Sequence, residues 1–203
     1  MELYLVTGYC TQHGKSITDI VMQAVAGGVD MVQLREKEMS DEEMTVLARE
    51  LHEKLLPTGV PLIINDRVNV AKTIDAEGVH VGQSDMAYAE ARKILGQGKI
   101  IGLSCENMQQ VADANSMDVD YIAVSPVFAT PTKTDTAMPF GLKGLREARK
   151  ISRHKVVAIG GINATNIKEI RDAGADSAAL VSAIADSANP MEAASVLKFL
   201  IEN

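Results

Sequence analysis

The chain has 203 residues and a formal net charge of −7, with 46% apolar and 23% charged residues. This composition is ordinary for a globular protein and argues against disorder. The negative charge also argues against nucleic acid as the main partner, because phosphate backbones need a basic surface. The length suits one sizeable core, so we expect residues 1–203 to form a single domain.

Cysteine content and the N-terminal stretch bear on the compartment. The two cysteines, Cys10 and Cys105, fit a reduced compartment better than a disulfide framework. The N-terminus lacks a basic segment followed by a long apolar one, and no stretch approaches the roughly 20 apolar residues of a membrane span. We therefore expect a soluble, cytoplasmic protein with no membrane partner.

Short β-rich runs alternate with amphipathic helical stretches from one end of the chain to the other. That alternation is typical of a parallel sheet with crossover helices. The predicted strands are residues 3–6, 31–34, 61–64, 78–81, 100–103, 121–124, 156–159 and 178–181. Eight such units favour an α/β fold of one domain, the (β/α)8 TIM barrel, over the alternative of a doubly wound open sheet.

Capping residues predict where two of the helices begin. Ser40 is followed three residues later by Glu43, which fits a capping box and predicts a helix over 40–56. Asn163 follows a pair of glycines and is expected to cap a helix over 163–172, whose Ile167 and Ile170 face inward.

Acidic side chains follow two neighbouring predicted strands, at the end of a barrel where active sites form. Asp66, with Asn65 beside it, follows the third strand, and Asp85 follows the fourth. Oxygen ligands on converging loops suit Mg²⁺ held together with a substrate phosphate. Each aspartate alone could instead cap a helix, which is the commoner role for Asp at such a junction.

Cationic groups on the same predicted rim favour the metal interpretation. Arg35 and Lys37 follow the second strand, and Lys133 lies in the loop after the sixth. Two carboxylates, a divalent ion and these cations make a plausible diphosphate site. Thr130 and Thr132 lie beside Lys133 and offer further donors to an anion, although a solvated surface loop is equally compatible with them.

A second anion site is predicted after the last two strands. Gly161, in the Gly-Gly pair after the seventh strand, and Val181-Ser182 after the eighth fall where barrels build phosphate sites from backbone N–H groups. Paired glycines can also simply make a tight turn. Two anion sites suggest a bisphosphorylated ligand or two phosphorylated ligands.

The sequence does not indicate nucleophilic catalysis, because no arrangement of serine, cysteine and histidine is evident. His80 could be a base or a packed histidine.

Seven short motifs, in this order along nearly the whole chain, resemble those of the thiamine-phosphate synthase family. They are Gln33-Leu34-Arg35-Glu36-Lys37, Ile64-Asn65-Asp66-Arg67, His80-Val81-Gly82-Gln83-Ser84-Asp85, Gly102-Leu103-Ser104, Ser125-Pro126-Val127-Phe128 with Thr130-Pro131-Thr132-Lys133, Ile159-Gly160-Gly161-Ile162 and Val181-Ser182-Ala183-Ile184. The resemblance implies a (β/α)8 barrel that joins hydroxymethylpyrimidine diphosphate to a thiazole phosphate, giving thiamine phosphate and diphosphate.

The resemblance also implies a role for each matching residue. Asp66 and Asp85 would hold Mg²⁺, and Arg35, Lys37, Asn65 and Lys133 would bind the diphosphate, with Arg35, Lys37 and Lys133 as catalytic residues. Gln33, His80 and Ser104 would form the pyrimidine pocket, Thr130 and Thr132 would contact the thiazole, and Gly161, Val181 and Ser182 would hold its phosphate. The end of the first strand, residues 7–10, receives no role, and a homo-oligomer is possible.

Three alternatives stay open at the level of sequence. A TenI-like thiazole tautomerase would share the fold, but it does not need the complete set of diphosphate and metal residues. Another phosphate-handling barrel enzyme, such as a sugar-phosphate isomerase, would leave the two aspartates unexplained. A non-catalytic protein that binds thiamine precursors would keep the same site without turnover.

Overall fold

The computed structural model describes residues 1–8, 14–129 and 138–203. Its eight strands are β1 (Glu2–Val6), β2 (Met31–Leu34), β3 (Leu62–Asn65), β4 (Gly78–Val81), β5 (Ile100–Cys105), β6 (Tyr121–Val124), β7 (Lys155–Ile159) and β8 (Ser177–Leu180). Each strand pairs in parallel with the next, and β8 pairs with β1 to close the barrel. The predicted TIM barrel is therefore confirmed, and the predicted strands differ from the observed ones only at their ends.

Helices follow the strands and form the outer layer. They are α1 (Ile17–Ala26), α2 (Asp41–Leu55), α3 (Val68–Ile74), α4 (Tyr88–Leu95), α5 (Met108–Ala114), α6 (Gly141–Ile151), α7 (Ile167–Asp172), α8 (Ser182–Ala185) and α9 (Pro190–Glu202), with a short 3-10 turn at Leu56–Thr58. The capping box predicted for α2 is present, since the Ser40 hydroxyl accepts from the backbone N–H of Glu43 and the Glu43 carboxylate accepts from that of Ser40. No helix in the described ranges is long and apolar enough to cross a membrane.

Helix α7 begins later than its predicted start at Asn163. The Asn163 side-chain oxygen accepts from the backbone N–H and the hydroxyl of Thr165, and its carbonyl accepts from the backbone N–H groups of Asn166 and Ile167, so Asn163 caps a turn that leads into the helix. Asn166 immediately precedes the helix, and its side-chain amide donates to the backbone carbonyl of Gly161. Ile167 and Ile170 are fully buried, so the predicted inward face is confirmed.

Two apolar layers lie on the two faces of the barrel wall. Because successive side chains of a strand point to opposite faces, alternate residues pack outward against the helices and inward into the barrel. The inner cluster consists of Tyr4, Val6, Met31, Ile63, Tyr121, Ala123, Val157 and Ala179. Strands covered on both faces are apolar on both faces, which explains the continuous runs that predicted them.

Candidate active site

A cavity of about 710 Å³ opens at the carboxyl ends of the strands. Every predicted site residue that the structure describes lines this cavity, namely Gln33, Arg35, Lys37, Asn65, Asp66, His80, Asp85, Ser104, Gly161, Val181 and Ser182. The remaining predicted residues, Thr130, Thr132 and Lys133, lie outside the described residues. The sequence motifs, spread over six strands, therefore meet in one place.

Asp66 and Asp85 form a carboxylate pair at the rim of the cavity. The pKa of Asp66 is raised to about 6, mainly because the carboxyl is partly buried and further because of the hydrogen bond and the charge of Asp85; Asn65 and Lys37 lower it. Asp85 is in turn fixed by the backbone N–H of Gly82, which donates to its Oδ2 at 2.7 Å. Two like charges brought together in this way suit a divalent cation, which would relieve their repulsion.

The alternative role of these aspartates as helix caps is not supported. Helix α3 is preceded by Arg67 and helix α4 by Ala87, and neither of these ends has a capping side-chain hydrogen bond. Asp66 instead has a left-handed backbone, with φ of 59°, which turns the chain sharply after β3. Within the described residues, no group of three or more His, Cys, Asp or Glu side chains could hold a metal ion, so a metal here would need substrate oxygens and water.

Arg67 ties together the two loops that carry the predicted diphosphate and metal residues. Its guanidinium donates to the Asp41 carboxylate at 3.0 Å and to the backbone carbonyls of Glu36, Lys37 and Met39. The segment around Lys37 is thereby held against the segment that carries Asp66. Sequence reasoning quoted Arg67 only as part of a motif, because its acceptors are backbone atoms whose positions depend on the folded loop.

Thr7 supports the same rim from the first strand, to which no role was assigned. The side chain is fully buried; its hydroxyl donates to the Glu36 carboxylate at 2.7 Å and accepts from the backbone N–H of Arg35 at 2.9 Å. Burial raises the pKa of Glu36, while Thr7 and Arg35 lower it. A threonine directly after an apolar strand is the sequence signal that could have indicated these hydrogen bonds to the loop after β2.

Five polar side chains form a continuous hydrogen-bonded network at the bottom of the cavity, which we call the floor array. Its members are Gln33, Tyr4, Tyr121, His80 and Ser104. The amide nitrogen of Gln33 donates to the Tyr4 hydroxyl at 2.7 Å, and the hydroxyl oxygens of Tyr4 and Tyr121 are 2.9 Å apart. His80 then bridges the Tyr121 hydroxyl at Nδ1 (3.0 Å) and the Ser104 hydroxyl at Nε2 (2.9 Å).

Burial keeps the floor array uncharged near neutral pH. It lowers the pKa of His80 to about 4, against a smaller opposing effect of Asp85, and raises the pKa values of both tyrosines. The His80 ring stacks on Tyr121 with centroids 5.5 Å apart. Gly102 makes room for this pair, since a Cβ there would lie 2.1 Å from Tyr121 Cζ and 2.5 Å from His80 Nδ1. Sequence reasoning missed Tyr4, Tyr121 and Gly102.

The Gly160-Gly161 pair lets the loop after β6 approach the barrel closely. Gly161 has φ of 65°, and a Cβ on it would lie 2.8 Å from both the Ala129 carbonyl and Phe128 Cβ. The loop is also hydrogen-bonded to this turn, because Phe128 donates its backbone N–H to the Gly160 carbonyl at 3.1 Å. Gly161 and Val181-Ser182 line one side of the cavity together, as expected for a shared subsite.

Comparison with known proteins supports the resemblance found in the sequence. The model of a family described as thiamine monophosphate synthase matches residues 3–184. A thiamine-phosphate synthase from Albidiferax ferrireducens is 46% identical over 202 residues, covering 100% of this chain and 92% of the relative. One from Vibrio parahaemolyticus is 48% identical over 201 residues, covering 99% and 98%.

A solved structure gives the same result. The thiamine phosphate pyrophosphorylase from Pyrococcus furiosus matches with a TM-score of 0.89 and 30% identity, covering 99% of this chain and 95% of that one. The alignments thus include both the barrel and the loops that form its cavity. Given a family model that matches most of its length and relatives that match it almost end to end, the chain belongs to the thiamine monophosphate synthase family and is a transferase.

Proposed function

We propose that this transferase is a Mg²⁺-dependent thiamine-phosphate synthase, which couples 4-amino-2-methyl-5-hydroxymethylpyrimidine diphosphate to 4-methyl-5-(2-hydroxyethyl)thiazole phosphate or its carboxylated form. The observation that carries the proposal is the arrangement of one cavity, in which a carboxylate pair and two cations stand at the rim above a neutral polar floor. The rim suits a diphosphate and the floor suits an uncharged heterocycle.

Asp66 and Asp85 would hold the metal. Their like charges, together with the pKa of Asp66 raised to about 6, are what a bound divalent cation would compensate, and Mg²⁺ commonly uses one or two carboxylates plus substrate phosphate oxygens. When bound, the ion would neutralise charge on the diphosphate and so make it a better leaving group.

Arg35 and Lys37 would bind and stabilise the diphosphate. Both line the cavity, and the segment that carries them is fixed by Thr7 and Arg67 before any ligand binds. Fixed cations aimed at the place where charge develops lower the barrier most, because nothing has to reorganise during the reaction. Asn65 and, from the residues outside the described ranges, Lys133 would complete this set.

The bond between the pyrimidine methylene carbon and the diphosphate oxygen would break first, with its electron pair leaving on the diphosphate. The aminopyrimidine ring delocalises the resulting cation, and the lone pair of the thiazole nitrogen then forms the new C–N bond. A neutral His80, with its pKa near 4, adds no positive charge beside that cation. The enclosing walls limit the access of water, which would otherwise trap it.

The second ligand would sit on the opposite side of the cavity. Gly161, Val181 and Ser182 would hold the thiazole phosphate, and Thr130 and Thr132 would contact the ring. The nitrogen is already nucleophilic, so no base is required. We further propose that residues 1–203 act as one catalytic domain in the cytoplasm, without nucleic acid or membrane partners, with a homo-oligomer as a possible form.

The test is formation of thiamine phosphate from the two phosphorylated precursors, with Mg²⁺ and then with excess chelator. The proposal expects product and diphosphate in equal amounts with the metal, and a loss of both with the chelator that added Mg²⁺ reverses. Product that forms equally well in chelator would contradict the metal role. Folded protein that yields no product, but turns over the thiazole alone or binds precursors without turnover, would instead favour the tautomerase or the binding protein.

A further inference from the structure

One proton order connects the groups of the floor array from Gln33 to Ser104. Gln33 donates its amide N–H to Tyr4. The Tyr4 hydroxyl, fully buried, then has the Tyr121 oxygen as the described acceptor for its own proton. If Tyr4 donates to Tyr121, then Tyr121 donates onward to Nδ1 of His80, and His80 with its one ring proton on Nε2 donates to Ser104.

This order is cooperative, because Tyr4, Tyr121 and His80 each accept one hydrogen bond and donate one within the array. Turning the Gln33 amide over would place its oxygen beside Tyr4, and every proton along the array would then have to reverse. In this order the amide nitrogen of Gln33 donates to Tyr4. The side-chain oxygen is therefore the atom that Gln33 offers, as an acceptor, to a ligand in the cavity that it lines.

We propose that Tyr4 and Tyr121 are specificity-determining positioning residues, which hold the Gln33 amide with its oxygen toward the ligand. The floor then accepts a heterocycle that presents an amino N–H and rejects the isosteric one that presents an oxo oxygen. The inference rests on the proposed function, in which an aminopyrimidine binds at this floor. Rejection of the wrong isostere is strong because it would leave buried polar atoms without partners.

Tyr121 provides the cleanest test, since it is not among the described residues that line the cavity and its side chain is 4% exposed. Its hydroxyl contacts Tyr4 and His80 but not Gln33. In Tyr121→Phe the described acceptor for the Tyr4 proton is lost. The remaining acceptor beside Tyr4 is the Gln33 oxygen of a turned amide, which would place the NH₂ group toward the ligand.

The experiment measures binding of two ligands by calorimetry: the aminopyrimidine diphosphate named above, and the same diphosphate with an oxo group in place of the amino group. Both carry the same anion, so contributions from the rim cancel in the ratio of their affinities. In Tyr121→Phe we expect this amino-to-oxo ratio to fall about tenfold or more, with weaker binding of the amino ligand and tighter binding of the oxo ligand. Tyr4→Phe, which leaves the amide unconstrained, should lower the ratio as well.

Tyr88→Phe is the matched control, because Tyr88 begins α4 and is not among the described residues that line the cavity, and it should leave the ratio unchanged. Circular dichroism establishes that each variant is folded. If folded Tyr121→Phe binds both ligands more weakly by the same factor, or binds both as the wild type does, the inference is overturned. The proposed function would still stand if the wild-type protein synthesises thiamine phosphate. Wild-type protein that binds neither pyrimidine diphosphate would overturn both.

Discussion

At the rim of the cavity the functional side chains are charged and reach solvent, whereas at its floor they are neutral and enclosed. Lys37 and Asp85 are exposed, while Gln33 is 4% exposed and His80 is 7% exposed. The two regions are also fixed differently. Rim groups are held through backbone atoms of their loops, as Asp85 is by Gly82, whereas floor groups are held by one another.

Under the proposed function, this difference separates the recognition of the diphosphate from the recognition of the heterocycle that carries it. A diphosphate is recognised by charge, which tolerates small displacements because Coulomb forces fall off slowly. A heterocycle is recognised by the direction of its hydrogen bonds, which weaken steeply when the angle is wrong. Changes at the rim should therefore act mainly on turnover and anion binding, and changes at the floor on stability and selectivity.

The largest expected effect is at the rim, for Asp85→Ala. Loss of a carboxylate that we propose to bind the metal should lower kcat about a thousandfold, while loss of the Gly82 hydrogen bond should cost about 1 kcal/mol of unfolding free energy. Product formation and urea unfolding measure the two quantities. Asp113→Ala, at an exposed acid on α5, is the matched control and should keep full activity. An Asp85→Ala protein that is unfolded would show that the residue is structural.

At the floor, we expect a pH effect that depends on His80. Burial lowers its pKa to about 4, below the roughly 6.5 of an unfolded chain, so the unfolded state binds the proton more tightly. The stability that His80 contributes is therefore complete above pH 6.5 and is lost as the pH falls toward 4, by about 3 kcal/mol. Urea unfolding of wild type and His80→Gln from pH 7 to 4 checks this. Parallel curves for the two proteins would contradict it.

Gly102→Ala tests how tightly the floor is packed. The added Cβ would lie 2.1 Å from the Tyr121 ring, so the Tyr121 and His80 pair must move, and we expect a cost of about 2 kcal/mol in unfolding free energy. Gly59→Ala is the comparison, because its Cβ would meet no atom within 4 Å and only its positive φ of 72° opposes the change, at about 1 kcal/mol. Equal losses for the two variants would show that the floor can relax.

The smallest effect concerns Arg67, whose planar fork reaches several backbone carbonyls at the rim. Lysine cannot reproduce this geometry, so Arg67→Lys should loosen the loop around Lys37 and raise the KM for the pyrimidine diphosphate about tenfold, with a smaller change in kcat. Arg92 provides a matched control, since it binds the carbonyls of Gly96 and Lys99 at the other end of the barrel.

We expect Arg92→Lys to reduce the unfolding free energy about as much as Arg67→Lys does, but to leave KM unchanged. Steady-state kinetics and thermal unfolding of both variants measure the changes in KM and in stability. If the two substitutions changed KM equally, the effect of Arg67 would be one of general stability, and its role in holding the rim would be refuted.

The sequence predicted the barrel and the position of the rim residues, for physical reasons. Strands buried on both faces are marked by apolar runs, and the residues just after such runs meet at one end of a parallel barrel. Asp66, Asp85, Arg35 and Lys37 line one cavity as this placement predicts, while their roles stay predictions. Helix α7 begins at Ile167 rather than directly after Asn163, because Asn163 caps an intervening turn over residues 164–166.

Two members of the floor array, Tyr4 and Tyr121, could not be predicted in the same way. Tyr4 and Tyr121 lie within apolar runs, where a tyrosine resembles any other large core residue, and their hydroxyls meet only because β1 and β6 face each other across the barrel. The contact spans 117 residues of sequence. The local sequence signal for such a floor is a glycine or polar residue at alternate positions of a buried strand. Gly102 and Ser104 in β5 are an example.

The pairing of the first strand with the last has a consequence for synthesis of the chain. Glu2 lies opposite Ser177 in the β1–β8 ladder and accepts a hydrogen bond from its hydroxyl, 175 residues later. At a translation rate of about 5–20 residues per second, β8 is synthesised roughly 10–35 seconds after β1, and the edge of β1 that pairs with it stays open for that time. An unpaired strand edge invites association with other chains, so the N-terminal strand is where a nascent chain would most need a chaperone.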